Sequence, residues 1–305
     1  MFTIAHLSDP HLPLPRARAG ELLCKRVLGW QSWRRNRRHI HVPEVLALVQ
    51  ADILAHAPDH IVVTGDICNI SLPAEFRAGA GWLATLGPPE RVSVIPGNHD
   101  AYVAVEEAVG LGLWRDYMRG DTGEGVPAVR IRGEVALVGL SSAVPTPWFM
   151  ASGRLGEGQL AALGPMLRAL GRRGLFRIVM VHHPPYRARG GWRKSLSDAS
   201  RLEEVLSAEG AELVLHGHDH RAALGRIGEP AQPVPVLGVP SASARADEHG
   251  HGAAWNLYRI AREGEGWRVG VTVRGVATGS GRIETKGQFD LLIEGARQAG
   301  ISNAA

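Results

Sequence analysis

The sequence predicts an α/β fold built around a mostly parallel sheet. Apolar runs at 2–7, 60–64, 92–96, 176–181 and 213–215 have the length and branching of buried strands. Segments of helical period separate several of them, as at 42–57, 73–86, 158–173 and 200–210. Each of those apolar runs also ends in a polar cluster, and in α/β sheets ligands gather beyond the carboxyl ends of the strands.

Length and composition set the limits. A chain of 305 residues can bury a full core as one large domain or two small ones. With 45% hydrophobic and 21% charged residues it is of ordinary globular composition, and no apolar run reaches the length of a membrane span. The chain opens directly into the strand-like Phe2-Thr3-Ile4-Ala5, without the basic and long apolar regions of a secretory signal, so the expected location is the cytoplasm. Cys24 and Cys68 make neither a disulfide framework nor a cysteine zinc site. A net charge of +4 and a pI near 9.4 suit a phosphate-bearing substrate without pointing to nucleic acid.

In chain order, the first strand ends in Ser8-Asp9-Pro10-His11, which places an Asp and a His two apart on a loop. Residues 16–38 carry Arg16, Arg18, Lys25, Arg26, Arg34, Arg35, Arg37 and Arg38 against the single acid Glu21, with Leu23, Val27, Trp30 and Trp33 near helical spacing. Three readings stay open for this segment: a helix with a solvated basic face, a cap over the site that receives an anionic or lipid-like substrate, and a docking element for an anionic membrane surface. Pro43 suits the first turn of the helix that follows.

The second strand ends in Gly65-Asp66, and the third in Gly97-Asn98-His99-Asp100. The glycine lets the latter chain turn sharply and come close to a ligand. The Asn carbonyl can bind a metal, the His can pass a proton and the Asp can fix the His ring. Helical material around 104–118 leads through the Gly-rich turn 120–125 to a hairpin with strands 128–132 and 134–140 across Gly133. The loop 141–152, with Pro145, Pro147, Trp148 and Phe149, is a candidate substrate wall.

The strand 176–181 ends in His182-His183-Pro184-Pro185-Tyr186, where proline freezes the turn, and Arg187 and Arg189 then offer phosphate contacts. The strand 213–215 leads to His216-Gly217-His218-Asp219-His220, a loop whose alternate histidines can reach metals. Strands near 234–239, 254–261 and 267–274 suggest a second, antiparallel-rich sheet, and the loop 241–252, with Arg245, Asp247, His249 and His251, has two readings, an edge of the site and, ahead of it, a solvated loop. From Gly275 the chain turns Gly- and Ser-rich, and Phe289, Leu292, Ile293 and Ala296 suggest a tail helix packed on the body or on a partner subunit of a homo-oligomer.

Asp9/His11, Asp66, Asn98/His99/Asp100, His182 and His218/His220 all follow apolar strands, so one rim can collect them. Carboxylate, imidazole and one amide oxygen form a hard-to-borderline donor set suited to Mn, Fe, Zn, Co or Mg. There are too many donors for one ion and about enough for two that share a carboxylate.

This series resembles the calcineurin-like metallophosphoesterase superfamily over residues 1 to about 275, with every core motif in order. His-His-Pro-Pro and the single-domain plan look most like its branch of bacterial cyclic-nucleotide and glycerophosphodiester phosphodiesterases. The resemblance implies a two-sheet β-sandwich flanked by helices, an αββα fold. It divides the chain into a metallophosphoesterase domain at 1–275, with a cap-like insertion at 12–41, and a Gly-rich linker and tail helix at 276–305.

It also implies roles for matching positions. Asp9, His11 and His220 hold one divalent ion, Asn98, His182 and His218 the other, and Asp66 bridges both. His99 faces the substrate with Asp100 orienting it, and His183 makes a supporting or substrate contact. The implied chemistry is in-line attack on a phosphodiester by a metal-bridging hydroxide. A nucleotide-linked lipid or sugar pyrophosphatase and a phosphomonoesterase use the same site, and peripheral contact with the inner membrane face through 16–38 goes with the lipid-linked reading. A nuclease fits less well, since the charge is mild and no long basic groove is legible. A metal-free interaction scaffold requires lost ligands, and none is lost.

Overall fold

A computed structural model of the chain describes residues 1–123, 125–186, 191–228, 233–247, 251–277 and 281–294. The strands are β1 (Phe2–Leu7), β2 (His60–Val63), β3 (Val92–Val94), β4 (Ala128–Arg132), β5 (Val135–Gly139), β6 (Phe176–Met180), β7 (Leu213–His216), β8 (Ala223–Ile227), β9 (Val234–Gly238), β10 (Ala254–Glu263), β11 (Gly266–Val276) and β12 (Ile283–Ile293). The helices are α1 (Arg26–Ser32), α2 (Arg38–Ile40), α3 (Pro43–Ala55), α4 (Pro73–Leu86), α5 (Arg115–Met118), α6 (Glu157–Arg172) and α7 (Ala199–Glu209).

The strands form two six-stranded sheets, ordered β12-β11-β10-β1-β2-β3 and β4-β5-β6-β7-β9-β8. In the first, β1, β2 and β3 are parallel and β10–β12 extend it antiparallel. In the second, β5, β6, β7 and β9 are parallel, with β4 and β8 antiparallel at the edges. The parallel strands are buried on both faces, which is why they read as continuous apolar runs.

Three cores stack through the molecule. Ile4, Val62, Leu137, Ile178, Leu215, Tyr258 and Val271 fill the space between the sheets. Leu46, Val49 and Ile53 of α3 with Phe76 and Leu83 of α4 cover the outside of the first sheet. Leu160, Leu163, Leu167 and Leu170 of α6 with Leu202 and Leu206 of α7 cover the outside of the second. The layers are therefore helix, sheet, sheet, helix, as the motifs imply.

Pro43 and Pro73 open α3 and α4, where a missing N–H leaves no helical bond unmade. The β4–β5 hairpin turns at Gly133, whose φ of 59° suits a tight two-residue turn.

Two expectations are corrected. The strand expected near 234–239 is β9, which joins β7 in parallel in the second sheet rather than the antiparallel C-terminal set. The expected tail helix is β12: Phe289, Leu291 and Ile293 alternate toward the inter-sheet core, and its register against β11 runs from Ile283 to Ile293. Ala296 lies outside the described residues. The helical material around 104–118 resolves into short 3₁₀ turns at Glu107–Val109 and Leu111–Trp114, followed by α5. No described helix is long and apolar enough to cross a membrane.

Candidate metal centre

The polar clusters meet at the carboxyl ends of β1, β2, β3, β6 and β7, so both sheets contribute to one rim. The loop after β1 continues beside the loop after β2: Asp9 N donates to Gly65 O at 2.9 Å, His11 N to Asp66 O at 3.1 Å and Leu12 N to Ile67 O at 3.0 Å. This ladder fixes Asp9, His11 and Asp66 relative to one another. Asp9, His11, Asp66, His218 and His220 all have φ between 37° and 67°. Such left-handed backbone costs roughly 1 kcal/mol or more per non-glycine residue and concentrates at functional sites. Here it turns five side chains inward.

Two glycines make the close approach. A Cβ on Gly97 would overlap Asp66 Oδ1, and one on Gly217 would overlap Ser8 Oγ. The Gly-Asn-His-Asp and Gly-x-His patterns thus need glycine for contact with the other loops.

Three sets of donors are close enough for metal binding: Asp9, His11 and His220; His11, Asp66 and His99; and Asp66, His182 and His218. His11 and Asp66 each belong to two sets, so the centre is continuous. Asn98 Oδ1 adds a donor 3.2 Å from His182 Nε2 and 2.8 Å from His218 Nδ1. Backbone carbonyls orient the rings: His11 Nδ1 donates to Cys68 O at 3.0 Å, and His182 Nδ1 to Thr64 O at 2.6 Å. This turns the Nε2 lone pairs inward. His11 Nε2 and His218 Nε2 are buried with no hydrogen-bond partner. Buried imidazole nitrogens are seldom left unpaired; His11 Nε2 lies 4.0 Å from Asp66 Oδ2, as a metal donor does, and His218 turns its Nδ1 toward Asn98 Oδ1.

The electrostatics agree. Burial acts to raise the Asp9 carboxyl, and the neighbouring His220 imidazole overrides it and holds the group well below the usual range. Burial likewise opposes ionisation of Asp66, and His182, at 3.4 Å, overrides it. Burial acts to lower His182, but the Asp66 charge lifts it to about 10. Two buried carboxylates therefore draw compensating positive charge into the centre. Divalent cations would supply that charge and release the imidazole protons.

His99 and Arg37 stand beside this cluster. His99 N donates to Asp66 Oδ1 at 2.7 Å, and its Nδ1 donates to Asn69 O at 2.6 Å. Arg37 Nη1 lies 3.1 Å from His99 Nε2 and Nη2 donates to Gly29 O at 3.3 Å, while Arg37 Nε is buried without a partner. Tyr102 stacks on the His99 ring at 5.7 Å. Burial and then the Arg37 charge push His99 down to about 4, so it is neutral at pH 7.

The expectation that Asp100 orients His99 is corrected. Its carboxylate accepts backbone N–H bonds from Asp66, Gly97 and Cys68, each at 2.8 Å. It ties the two metal-facing turns together, and Asn69 O sets the His99 ring. For His183 only the substrate contact is corrected. Its Nδ1 pairs with Ser142 Oγ at 2.8 Å and its Nε2 with Ala151 O at 3.1 Å, so it anchors the 141–152 loop behind His218 and presents no nitrogen to a substrate. Arg187 and Arg189 lie outside the described residues. Cys68 is buried, and burial, then the Asp100 charge, raise its thiol well above the usual range.

Three contributors were not singled out from the sequence. Arg37 was one cation among many until its approach to His99 appeared. His41 packs its ring 4.4 Å from that of His11 and bonds Ser243 Oγ at 2.9 Å, and the start of the 241–252 loop is buried rather than solvated. Glu75 accepts from the N–H groups of Asn69 and Leu72 at 2.5 and 2.9 Å, which shapes the loop presenting Asn69 O. A Glu at the third helical position after Pro73 is a capping signal visible in sequence.

Residues 2–222 match the family model described as calcineurin-like phosphoesterase. The chain belongs to that family. Calcineurin-like phosphoesterases are metal-dependent phosphoric ester hydrolases with a dinuclear centre, and the donor sets above fit one. A probable cyclic nucleotide phosphodiesterase from Synechococcus sp. is 27% identical over 227 residues, 73% of this chain and 79% of that protein. A dimetal phosphatase from Danio rerio aligns with a TM-score of 0.57 at 15% identity, covering 97% of this chain and 99% of its own. A purple acid phosphatase from yellow lupin gives 0.60 at 10% identity over 96% of this chain and 54% of its own. These two structures share the fold.

Proposed function

We propose that the protein hydrolyses phosphodiester bonds at two divalent cations. Asp9, His11 and His220 would hold one cation, Asn98, His182 and His218 the other, and Asp66 both. The observation that carries this reading is the continuous donor cluster centred on Asp66, with His11 Nε2 buried and unpaired and His218 Nδ1 2.8 Å from Asn98 Oδ1. Mn, Fe, Zn and Co all suit the donors.

When bound, the cations supply Lewis acidity toward the phosphoryl oxygens and acidify a water. The chain's own residues do the rest. The Asp9–Gly65 and His11–Asp66 ladder holds the donors in place before substrate arrives. Arg37, half-buried and fixed by Gly29 O, brings a permanent positive charge and an unused N–H to the mouth of the centre. A phosphodiester carries one negative charge, which such a guanidinium can pair and orient. His99, with Nδ1–H committed to Asn69 O, keeps Nε2 toward the substrate side. There it can take up a proton from solvent once the phosphoryl anion paired with Arg37 offsets the guanidinium charge, and deliver it to the leaving oxygen.

The name of the Synechococcus relative supports the diester preference. A second reading is hydrolysis of a nucleotide-linked lipid or sugar pyrophosphate. It is favoured by the helical cap 26–40, which carries Trp30 and Trp33 on the same run that brings Arg37 to the centre. The deciding experiment is a substrate panel with Mn²⁺ restored after chelation: a cyclic nucleotide, a glycerophosphodiester, a UDP-linked lipid and a phosphomonoester. Preference for the first two upholds the diester reading, and preference for the third or fourth replaces it.

A further inference from the structure

We propose that the cap and two neighbouring loops form a docking surface for an anionic lipid bilayer, set beside the mouth of the metal centre.

Three segments distant in sequence meet there. Lys25 Nζ donates to Thr146 O at 3.0 Å, Thr146 Oγ1 at 2.7 Å and Met150 O at 3.1 Å, which joins the cap to the 141–152 loop. Ala151 N donates to Arg193 O at 2.9 Å, and Gly153 bridges Leu196, which joins that loop to the turn Trp192–Lys194. Residues 16–40, 141–156 and 191–197 together carry eleven Lys and Arg against one acid, more than the whole chain's excess of +4. That acid, Glu21, accepts from Arg18 N at 2.7 Å.

The cap divides its cations between two faces. Lys25, Arg26 and Arg37 turn inward, with Arg26 donating to Ile70 O at 3.1 Å and Ser71 O at 2.7 Å. Arg34, Arg35 and Arg38 are exposed, as are Arg193 and Lys194 on the neighbouring turn. A π-helical turn at Trp33–Arg37 separates α1 from α2 and shifts the register that divides them.

The same rim leaves large apolar side chains in solvent. Leu23 is 86% exposed, Phe149 74%, Trp192 65% and Trp148 53%. Trp148, Phe149 and Trp192 are the exposed Trp and Phe side chains among the described residues, and all three fall in these segments. Gathered on one rim with exposed arginines, they suit a bilayer boundary, which takes aromatic and aliphatic side chains at headgroup depth while its anionic lipids pair the arginines. Nucleic acid would match the arginines and could stack on the rings but would leave Leu23 unpartnered.

The docking inference stands on this surface alone. Its consequence, that the substrate's phosphoester is presented at a membrane face, rests on the hydrolase reading above.

The test is co-sedimentation of the full chain with vesicles of phosphatidylcholine, or of phosphatidylcholine with about one-third phosphatidylglycerol. Binding to the anionic vesicles only is expected. R34Q/R35Q/R38Q is expected to weaken it roughly a hundredfold, at about fivefold per charge. L23S/W192S is expected to weaken it at unchanged charge. Both variants are expected to hydrolyse a soluble aryl phosphodiester at the wild-type rate without vesicles, which shows that they fold. Equal binding to neutral vesicles, no binding, or displacement from vesicles by a single-stranded oligonucleotide would overturn the proposal. If soluble turnover persists while vesicle binding is absent, docking alone fails. If vesicle binding holds while turnover is absent, the hydrolase reading alone fails.

Discussion

Asp66 is the residue on which the centre depends. It belongs to two of the three donor sets, and its backbone and side chain hold His11, His99 and Asp100 in place. Asp66→Ala is expected to release both cations and to lower diester turnover by roughly a thousandfold or more. Metal content per chain, measured after gel filtration, checks this independently of activity. Arg37 acts differently, since it touches no proposed cation donor. Arg37→Met removes a charge-assisted hydrogen bond of about 1.5–3 kcal/mol, so kcat/KM for a diester is expected to fall about 10–100-fold with metal content unchanged. Arg37→Lys is expected to recover part of the loss, and inorganic phosphate is expected to bind the Met variant more weakly. Equal phosphate affinity in wild type and Arg37→Met would confine Arg37 to a structural role. Asp9, His11, Asp66, Asn98, His182, His218 and His220 were legible because each sits in a short motif directly after an apolar strand. Arg37, His41 and Asn69 were not, because each acts through a contact tens or hundreds of positions away, and a row of arginines carries no mark of the one that turns inward.

At the scale of elements, the parallel strands were legible as strands, β9 without its parallel pairing, and so were the α3, α4, α6 and α7 helices. β12 was not. Phe289, Leu292, Ile293 and Ala296 fit a helical spacing, whereas Phe289, Leu291 and Ile293 fit the alternation that the structure uses, and a segment this short supports both. Long-range pairing with β11 decides between them. Phe289 packs on the inter-sheet core from the edge of the sheet, so Phe289→Ala is expected to cost about 1–3 kcal/mol in denaturant unfolding. A tail that merely lay on the surface would leave the midpoint unchanged. β8 escaped notice because only its last residue is fully buried, which leaves little apolar pattern to read.

The whole molecule stores neutral histidines, and this links its stability to pH. His60, at the start of β2 and far from the centre, bonds Ser93 Oγ at 2.8 Å. Burial first, then Arg132, Arg130 and Arg91, push it down to about 3. Its unfolded value is about 6.5. Between these values the unfolded chain binds the extra proton, so stability is full above about pH 6.5 and is lost as pH falls toward 3. His60→Gln is expected to flatten that slope in urea unfolding between about pH 6.5 and 4, a difference on the order of a few kcal/mol at the acid end. An unchanged slope would show that His60 is protonated in the folded chain. The two sheets share one functional rim because their parallel strands point the same way across the inter-sheet core, and the helical segment 26–40 reaches that rim through Arg37. Fold, centre and cap therefore form one arrangement for handling a phosphoester.

The most direct test of that arrangement is turnover of bis(p-nitrophenyl) phosphate by chelated protein during titration with Mn²⁺, with p-nitrophenyl phosphate in parallel. No activity without metal, recovery that saturates near two ions per chain, and faster cleavage of the diester are the results the account predicts. Turnover that survives chelation, saturation at a single ion, or cleavage of the monoester alone would contradict it.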